Sequence, residues 1–270
     1  MEYWAMVFHS VFENSYLWLP LLGFVVGFLG SVIGGGGGFF FLPVLILLFH
    51  VPAQIAVSTS LAATLPVCVV GALSHYRNGN IDLRMGSIFA IAGIAGAIVG
   101  AGLTGLLSTG QLKVSFGIYS ILLAVHMMLS NRKKIKAEAN GDVLPEKTSF
   151  QKRTSGSVYG LLAGIITGTF GTSGTAPVLA GLFAIRLPVK VIAGTSLLIV
   201  FVNTVSALGA HFMVGKIDLT LVYFLTAGTI IGAFAGPRLI SGVRIERSEN
   251  SVRFWFALVM MAFGLLMIIS

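Results

Sequence analysis

Charged positions are sparse along this chain, and long apolar runs lie between short polar stations. No Lys, Arg, Asp or Glu occurs between Tyr16 and Tyr76, and residues 85–112 and 219–237 are free of all four. Uncharged runs of that length read as membrane-spanning helices. The pattern predicts five apolar segments in the first half, at 17–33, 39–49, 55–74, 85–107 and 113–130. It predicts five more in the second, at 156–170, 176–185, 191–210, 219–240 and 254–269. The second segment of each half is anomalously short. As a helix it covers ~16 Å, about half of a ~30 Å hydrocarbon core. It is therefore either a half-helix meeting its partner at depth or one arm of a re-entrant hairpin.

The two halves repeat each other. GSVIGGGGGFFFLPVL, VPAQIAVSTSL and HYRNGNIDL in the first answer to GTFGTSGTAPVL, LPVKVIAGTSL and HFMVGKIDL in the second. A constant offset of 136 residues pairs Pro52 with Pro188, Thr59 with Thr195, His75 with His211, Gly96 with Gly232 and Gly100 with Gly236. A hydrophobic unit used twice and interrupted at the same place is the pattern of transporters with a site between repeats. Whichever form the short segment takes, each half crosses an odd number of times, so the second copy is inverted. The expected fold is an all-α polytopic membrane protein of two inverted repeats. Each repeat has about five hydrophobic segments, one of them a short broken helix after a glycine-rich break. The expected organisation is an extracytoplasmic lead (1–15), a first membrane repeat (16–130), a charged cytoplasmic linker (131–155) and a second membrane repeat (156–270).

Charge supports that arrangement. With the linker in the cytoplasm, the inverted model leaves only Lys113 and Lys216 of the 17 basic residues outside, as the positive-inside rule requires. Four full spans per half would move Arg186, Lys190, Arg238, Arg244, Arg247 and Arg253 outside. Placement thus accounts for the net charge of +8 without nucleic acid as a partner. Both termini fall outside a prokaryotic plasma membrane, and the lipid bilayer is the one large partner implied. Residues 2–14 form an interfacial helix or an unstructured lead, and without a basic n-region they do not read as a cleaved signal peptide. At 56% hydrophobic and 10% charged residues, the chain is not an ordinary soluble domain. Its single cysteine, Cys68, allows neither an internal disulfide nor a cysteine metal cluster.

The candidate chemistry sits at the breaks. Gly34, Gly35, Gly36, Gly37 and Gly38 correspond to Gly171, Thr172, Ser173, Gly174 and Thr175. Five adjacent glycines break a helix and free backbone N–H groups, which in lipid must be buried in protein or line a wet cavity. A short helix with Pro43 or Pro177 near its first turn follows each break, so its positive N-terminal end points to membrane depth. Two such ends make an anion site without a buried cation; close helix packing is the other use of glycine here. Ser58, Thr59 and Ser60, answered by Thr195 and Ser196, either complete an oxyanion shell or bond their own helix at i−4. Asn203, on the same helix as Thr195, is a weaker candidate for the shell. Arg238, at the end of a span, draws anions to the inner mouth or snorkels to headgroups. The HxxxGxID pair reads as a turn, with Asp82 and Asp218 as N-caps of the next helix. Ala92, Gly96 and Gly100, like Gly228, Gly232 and Gly236, read as small-residue packing faces.

In combination, the Gly-rich break followed by Pro, the TSL triplet and HxxxGxID, all duplicated, resemble the sulfite exporter TauE/SafE family. The resemblance covers about residues 20–130 and 156–270. It implies a membrane transporter of small anions such as sulfite, thiosulfate or sulfonates, generally an exporter. The second break, GTSGT, and the unpaired Arg238 depart from strict symmetry. No catalytic residue, metal site or cofactor is expected: no GxxxxGK[ST] motif occurs, and no nucleophile stands beside a base. No carboxylate lies inside a predicted span to relay protons, and no coupling ion is identified. The expectation is a secondary transporter with a midplane site for a small anionic substrate. An anion channel, a non-transporting membrane assembly subunit and a homo-oligomeric state stay open.

Overall fold

The computed structural model describes residues 7–33, 37–140, 148–185, 187–214, 216–240 and 249–270. Among them ten α-helices follow one another, five per half. The first five are α1 (Leu19–Ile33), α2 (Gly38–Leu47), α3 (Ala53–Arg77), α4 (Leu83–Leu106) and α5 (Thr109–Asn140). The second five are α6 (Ser149–Phe170), α7 (Thr175–Ala184), α8 (Val189–Val214), α9 (Leu219–Ile240) and α10 (Glu249–Ile269). All ten expected segments are present as helices. Helices α5 and α6 also run into the charged connection from both sides, and Thr148 and Gln151 close a capping box at the start of α6. That box satisfies N–H groups that the polar composition alone leaves open. Among the described residues, six helical stretches are long and apolar enough to cross a membrane, including Ala53–Arg77, Leu83–Leu106 and Lys190–Met213. Ile91, Ile98, Leu122, Ile231 and Phe234 form part of an exposed apolar exterior. This is an all-α polytopic membrane fold.

Helices α3 and α8 form its centre: 61% and 56% of their apolar windows are buried, against 28% for α5. They run antiparallel, because the start of each bonds to the chain just beyond the end of the other. The Asp82 N–H donates to Thr195 Oγ at 2.9 Å, and the Asp218 N–H donates to Thr59 Oγ at 3.4 Å. These two bonds are repeat mates. The flanking seams repeat in the same way. Gly23 of α1 lies on the Leu225 carbonyl of α9, and Gly160 of α6 lies on the Phe89 carbonyl of α4. Gly27 meets Thr229 as Gly164 meets Gly93. Within each seam the helices run parallel and touch backbone to backbone, as small-residue faces allow. The α5–α10 pair is antiparallel, with Gly117 against Gly264 and Ser120 Oγ donating to the Met260 carbonyl at 2.6 Å.

The short helices fold back on their predecessors. Phe49, just past α2, has its ring 6.0 Å from that of Tyr16, just before α1. Gly37 lies over Val26; in the second half Gly174 lies over Ala163 and Gly181 against Tyr159. The two segments are therefore arms of helical hairpins, not half-helices continuing in series. Because α3 and α8 are antiparallel, the hairpins enter the bundle from opposite ends. The end that holds the α3–α4 turn and the start of α8 also holds Arg77, Arg84 and Lys190. Lys216 lies at the other end, beside the start of α3, and so does the start of α5, tied there by the Gln54 bond to the Leu107 carbonyl.

From residue 7 onward the lead takes neither of its two expected forms, interfacial helix or unstructured segment. Val7–Phe8 pairs in parallel with Ile217–Asp218, just before α9. The Ser10 N–H donates to Asp218 Oδ1 at 3.3 Å, and Thr220 Oγ donates to the Ser10 carbonyl at 3.1 Å. Phe12 packs on Phe224. A backbone edge and an aromatic face at the α8–α9 turn hold this segment extended.

Candidate functional site

The two short helices begin in the same way. Gly37 caps α2 at φ 72° and Gly174 caps α7 at φ 54°, both left-handed and neither offering a side chain to the first turn. Only glycine takes that backbone without strain. Each short helix thus starts without a side-chain bond from its N-cap residue to the first turn. Gly38 is buried, and Thr172 and Ser173 are 2% and 3% exposed.

Helix α3 brings the two breaks together. Ser60 Oγ lies 3.3 Å from the Gly38 carbonyl and 2.8 Å from the Gly171 carbonyl, one from each hairpin. One turn on, Thr64 Oγ occupies the space that a Cβ on Gly38 would need, and the Ser173 N–H lies 3.1 Å from that same point. Thr64 sits near the middle of α3, so the junction lies deep within the bundle. Four carbonyls around it, of Gly38, Gly168, Thr169 and Gly171, face donors. Thr104 Oγ donates to the Gly168 and Thr169 carbonyls at 3.1 and 2.8 Å. His211 Nε2 donates to the Gly168 carbonyl at 2.7 Å. Ser60 takes those of Gly38 and Gly171. In contrast, Thr172 Oγ1 and Ser196 Oγ are buried with no partner. With the Gly38, Gly168, Thr169 and Gly171 carbonyls facing donors, and the Thr172 hydroxyl unpaired where two helix N-termini meet, the junction favours an anion over a cation.

The other expected residues separate into distinct places. Gly34, Gly35 and Gly36 lie outside the described residues. Gly37, Gly38, Gly171, Thr172, Ser173, Gly174 and Thr175 form the junction, and Thr175 Oγ1 donates to Ser173 Oγ at 2.8 Å. Ser196 is the repeat mate of Ser60. Thr59 and Thr195 brace the α3–α8 pair through Asp218 and Asp82 instead of facing the junction. Ser58 bonds the Gln54 carbonyl at i−4. Asn203 is wholly buried with both amide atoms unbonded, pressed on Gly93 of α4. Arg238 lies two residues past Gly236 near the end of α9. Asp82 caps α4 through the Met85 N–H at 2.9 Å, and Asp218 accepts from the Thr220 N–H at 3.0 Å. Thr64, Thr104 and the His211–Gly168 bond were not anticipated. Thr64 follows Ser60 by one helical turn, which puts both on one face; that spacing is the signal that points to it. Among the described residues no group of His, Cys, Asp and Glu could hold a metal ion.

Comparison with known proteins agrees with this architecture. The family model for the sulfite exporter TauE/SafE family matches residues 19–267. A probable membrane transporter protein of Bacillus subtilis (strain 168), YdhB, is 31% identical over 227 residues, covering 81% of this chain and 86% of that protein. YunE of the same organism, with the same description, is 24% identical over 93% of this chain and 96% of its own length. The probable membrane transporter protein MJ0441 of Methanocaldococcus jannaschii is 23% identical over 98% of this chain and all of its own length. No solved structure matches the chain. Matched from its first long helix to its last, and folded as a bundle of apolar helices, this chain is a membrane transporter that belongs to the sulfite exporter TauE/SafE family.

Proposed function

We propose that the protein is a secondary transporter that exports small sulfur-containing or organic anions, such as sulfite or a sulfonate, through the junction of its two hairpins. The supporting observation is the meeting of two glycine-capped helix starts beside Ser60 and Thr64, with the neighbouring carbonyls bonded and Thr172 and Ser196 unpaired. The halves act as inverted repeats, related by an axis in the membrane plane between α3 and α8. The end carrying Arg77, Arg84 and Lys190 faces the cytoplasm of a prokaryotic cell, and both termini face outward. Each hairpin reaches the site from one side, so rocking one repeat against the other exposes the junction alternately. No nucleotide-binding motif supplies energy, so the driving force is a gradient.

Counterflow of labelled methanesulfonate in proteoliposomes tests this. Saturable exchange that accelerates with substrate on the far side is expected. Flux that rises without saturation would make the protein a channel. Absence of flux with methanesulfonate and with sulfite would reduce it to a membrane subunit. Thr172→Val and Ser196→Ala should each weaken apparent affinity roughly ten- to a hundredfold, the effect of losing one hydrogen bond to a charged ligand. If both variants exchange with unchanged affinity, the site lies elsewhere.

A further inference from the structure

We infer that the junction takes an anion carrying one negative charge and rejects a doubly charged one of the same size; this rests on the anion site proposed above. The argument is a charge count. Each helix N-terminus presents roughly half a positive charge, so the starts of α2 and α7 together offset about one negative charge. Among the described residues of the two breaks, no cationic side chain adds to that sum. Residues 14–76, 154–185 and 191–215, which hold both breaks together with most of α3 and of α8, contain no Lys, Arg, Asp or Glu. His211, the imidazole nearest the second break, has its Nε2 committed to the Gly168 carbonyl. Tyr119 stacks on Phe170 with ring centroids 5.5 Å apart, and it contributes no positive charge in either ionisation state. The junction itself is closed to water: Gly38, Thr172 and Ser173 are buried.

The hydroxyls define how a single charge is held. Thr172 sits between Gly171, whose carbonyl is bonded by Ser60, and Ser173, whose N–H approaches Gly38. It therefore lies where the hairpins meet, with its own hydroxyl unpaired. Ser196 is the mate of Ser60, on the corresponding turn of α8. Ser60 closes its bonds on the two breaks, whereas Ser196 is without a partner. Donated hydroxyl bonds spread one charge over the ligand oxygens. They cannot neutralise a second, and an uncompensated buried charge is strongly unfavourable.

Methanesulfonate and sulfate test this directly, because they share a tetrahedral sulfur and similar size and differ by a methyl group against a charged oxygen. Affinity for the purified full-length protein is measured by ligand-induced thermal stabilisation in detergent and by competition in counterflow. Sulfate should bind on the order of a hundredfold or more weaker than methanesulfonate. Sulfite provides a second test, since it gains its second charge near neutral pH. Its affinity should fall as pH rises through that ionisation, while that of methanesulfonate, singly charged throughout, stays level. The methanesulfonate arm also reports any titration of His75, His211, Tyr119, Asp82 or Asp218. Sulfate competing as well as methanesulfonate, or sulfite binding more tightly as pH rises, would overturn the charge rule while leaving an anion site in place. Binding of neither ion, or binding unaffected by Thr172→Val and Ser196→Ala, would instead overturn the site reading and this inference with it.

Discussion

Hydroxyl residues that look alike along the chain have different duties in the fold, and their variants should separate accordingly. Thr195 Oγ accepts the Asp82 N–H at 2.9 Å, and Thr59 accepts that of Asp218 at 3.4 Å. Thr195→Val leaves a backbone donor without its partner, at about 1–3 kcal/mol. The melting temperature in detergent should fall, while methanesulfonate affinity per folded molecule is unchanged. Thr59→Val should do the same more weakly, because its bond is longer. Thr172→Val and Ser196→Ala remove hydroxyls that bond nothing in the protein, so stability should survive while affinity falls. A Thr195→Val protein that keeps its melting temperature and loses affinity would move that residue into the site. The capping glycines are a poorer probe. A Cβ on Gly37 would stand 2.6 Å from the Val26 carbonyl oxygen at a φ of 72°, so even alanine threatens the hairpin before it reaches a ligand.

Between helices, the decisive contacts are backbone on backbone. Gly96 of α4 lies against the Leu161 carbonyl of α6, and Gly232 of α9 lies against the Phe24 carbonyl of α1; these are the same contact in the two halves. Gly96→Ala and Gly232→Ala should each destabilise by about 1–3 kcal/mol through overpacking, read as loss of monodisperse protein and a lower melting temperature. Gly102→Ala and Gly105→Ala, on the same α4, meet nothing within 4 Å and should be tolerated. Equal losses at Gly96 and Gly102 would mean that the α4–α6 seam is looser than described. These seams also explain how the hairpins are held. Each outer arm, α1 or α6, is clamped along its length by a helix of the other half. The short arms α2 and α7 are placed by the breaks and by α3 and α8.

At the scale of the whole molecule, the antiparallel α3–α8 pair makes a prediction about sidedness. In a Cys68→Ser background, single cysteines at Gly79 and Lys190 should react with an impermeant thiol reagent only after permeabilisation. Those at Thr109 and Lys216 should react in intact cells. Gly79 and Lys216 stand at equivalent turns of the two repeats, so labelling from the same side would mean parallel repeats and a different span count. Basic residues at one end and an apolar exterior are what a bilayer selects, and both arise from the same chain order.

Much of this architecture was legible along the chain. Apolar runs without charge mark the ten helices, because lipid admits few other backbones. The 136-residue offset marks the repeat, and the glycine runs mark the breaks, because five adjacent small residues do not sustain a helix. Those are local properties, carried by neighbours in sequence. Whether the short helices continue or fold back was open until Phe49 was found beside Tyr16 and Gly181 beside Tyr159. The same holds for the hydroxyls. Thr59 and Ser60 are adjacent in sequence, yet one braces α8–α9 and the other joins the two breaks, since successive helical residues face about 100° apart and meet different neighbours. Which carbonyls at the junction are bonded, and which hydroxyls are left unpaired, depends on partners 22 to 111 residues away. Periodicity carries no record of such distant pairings; they exist only once the two halves have closed on each other.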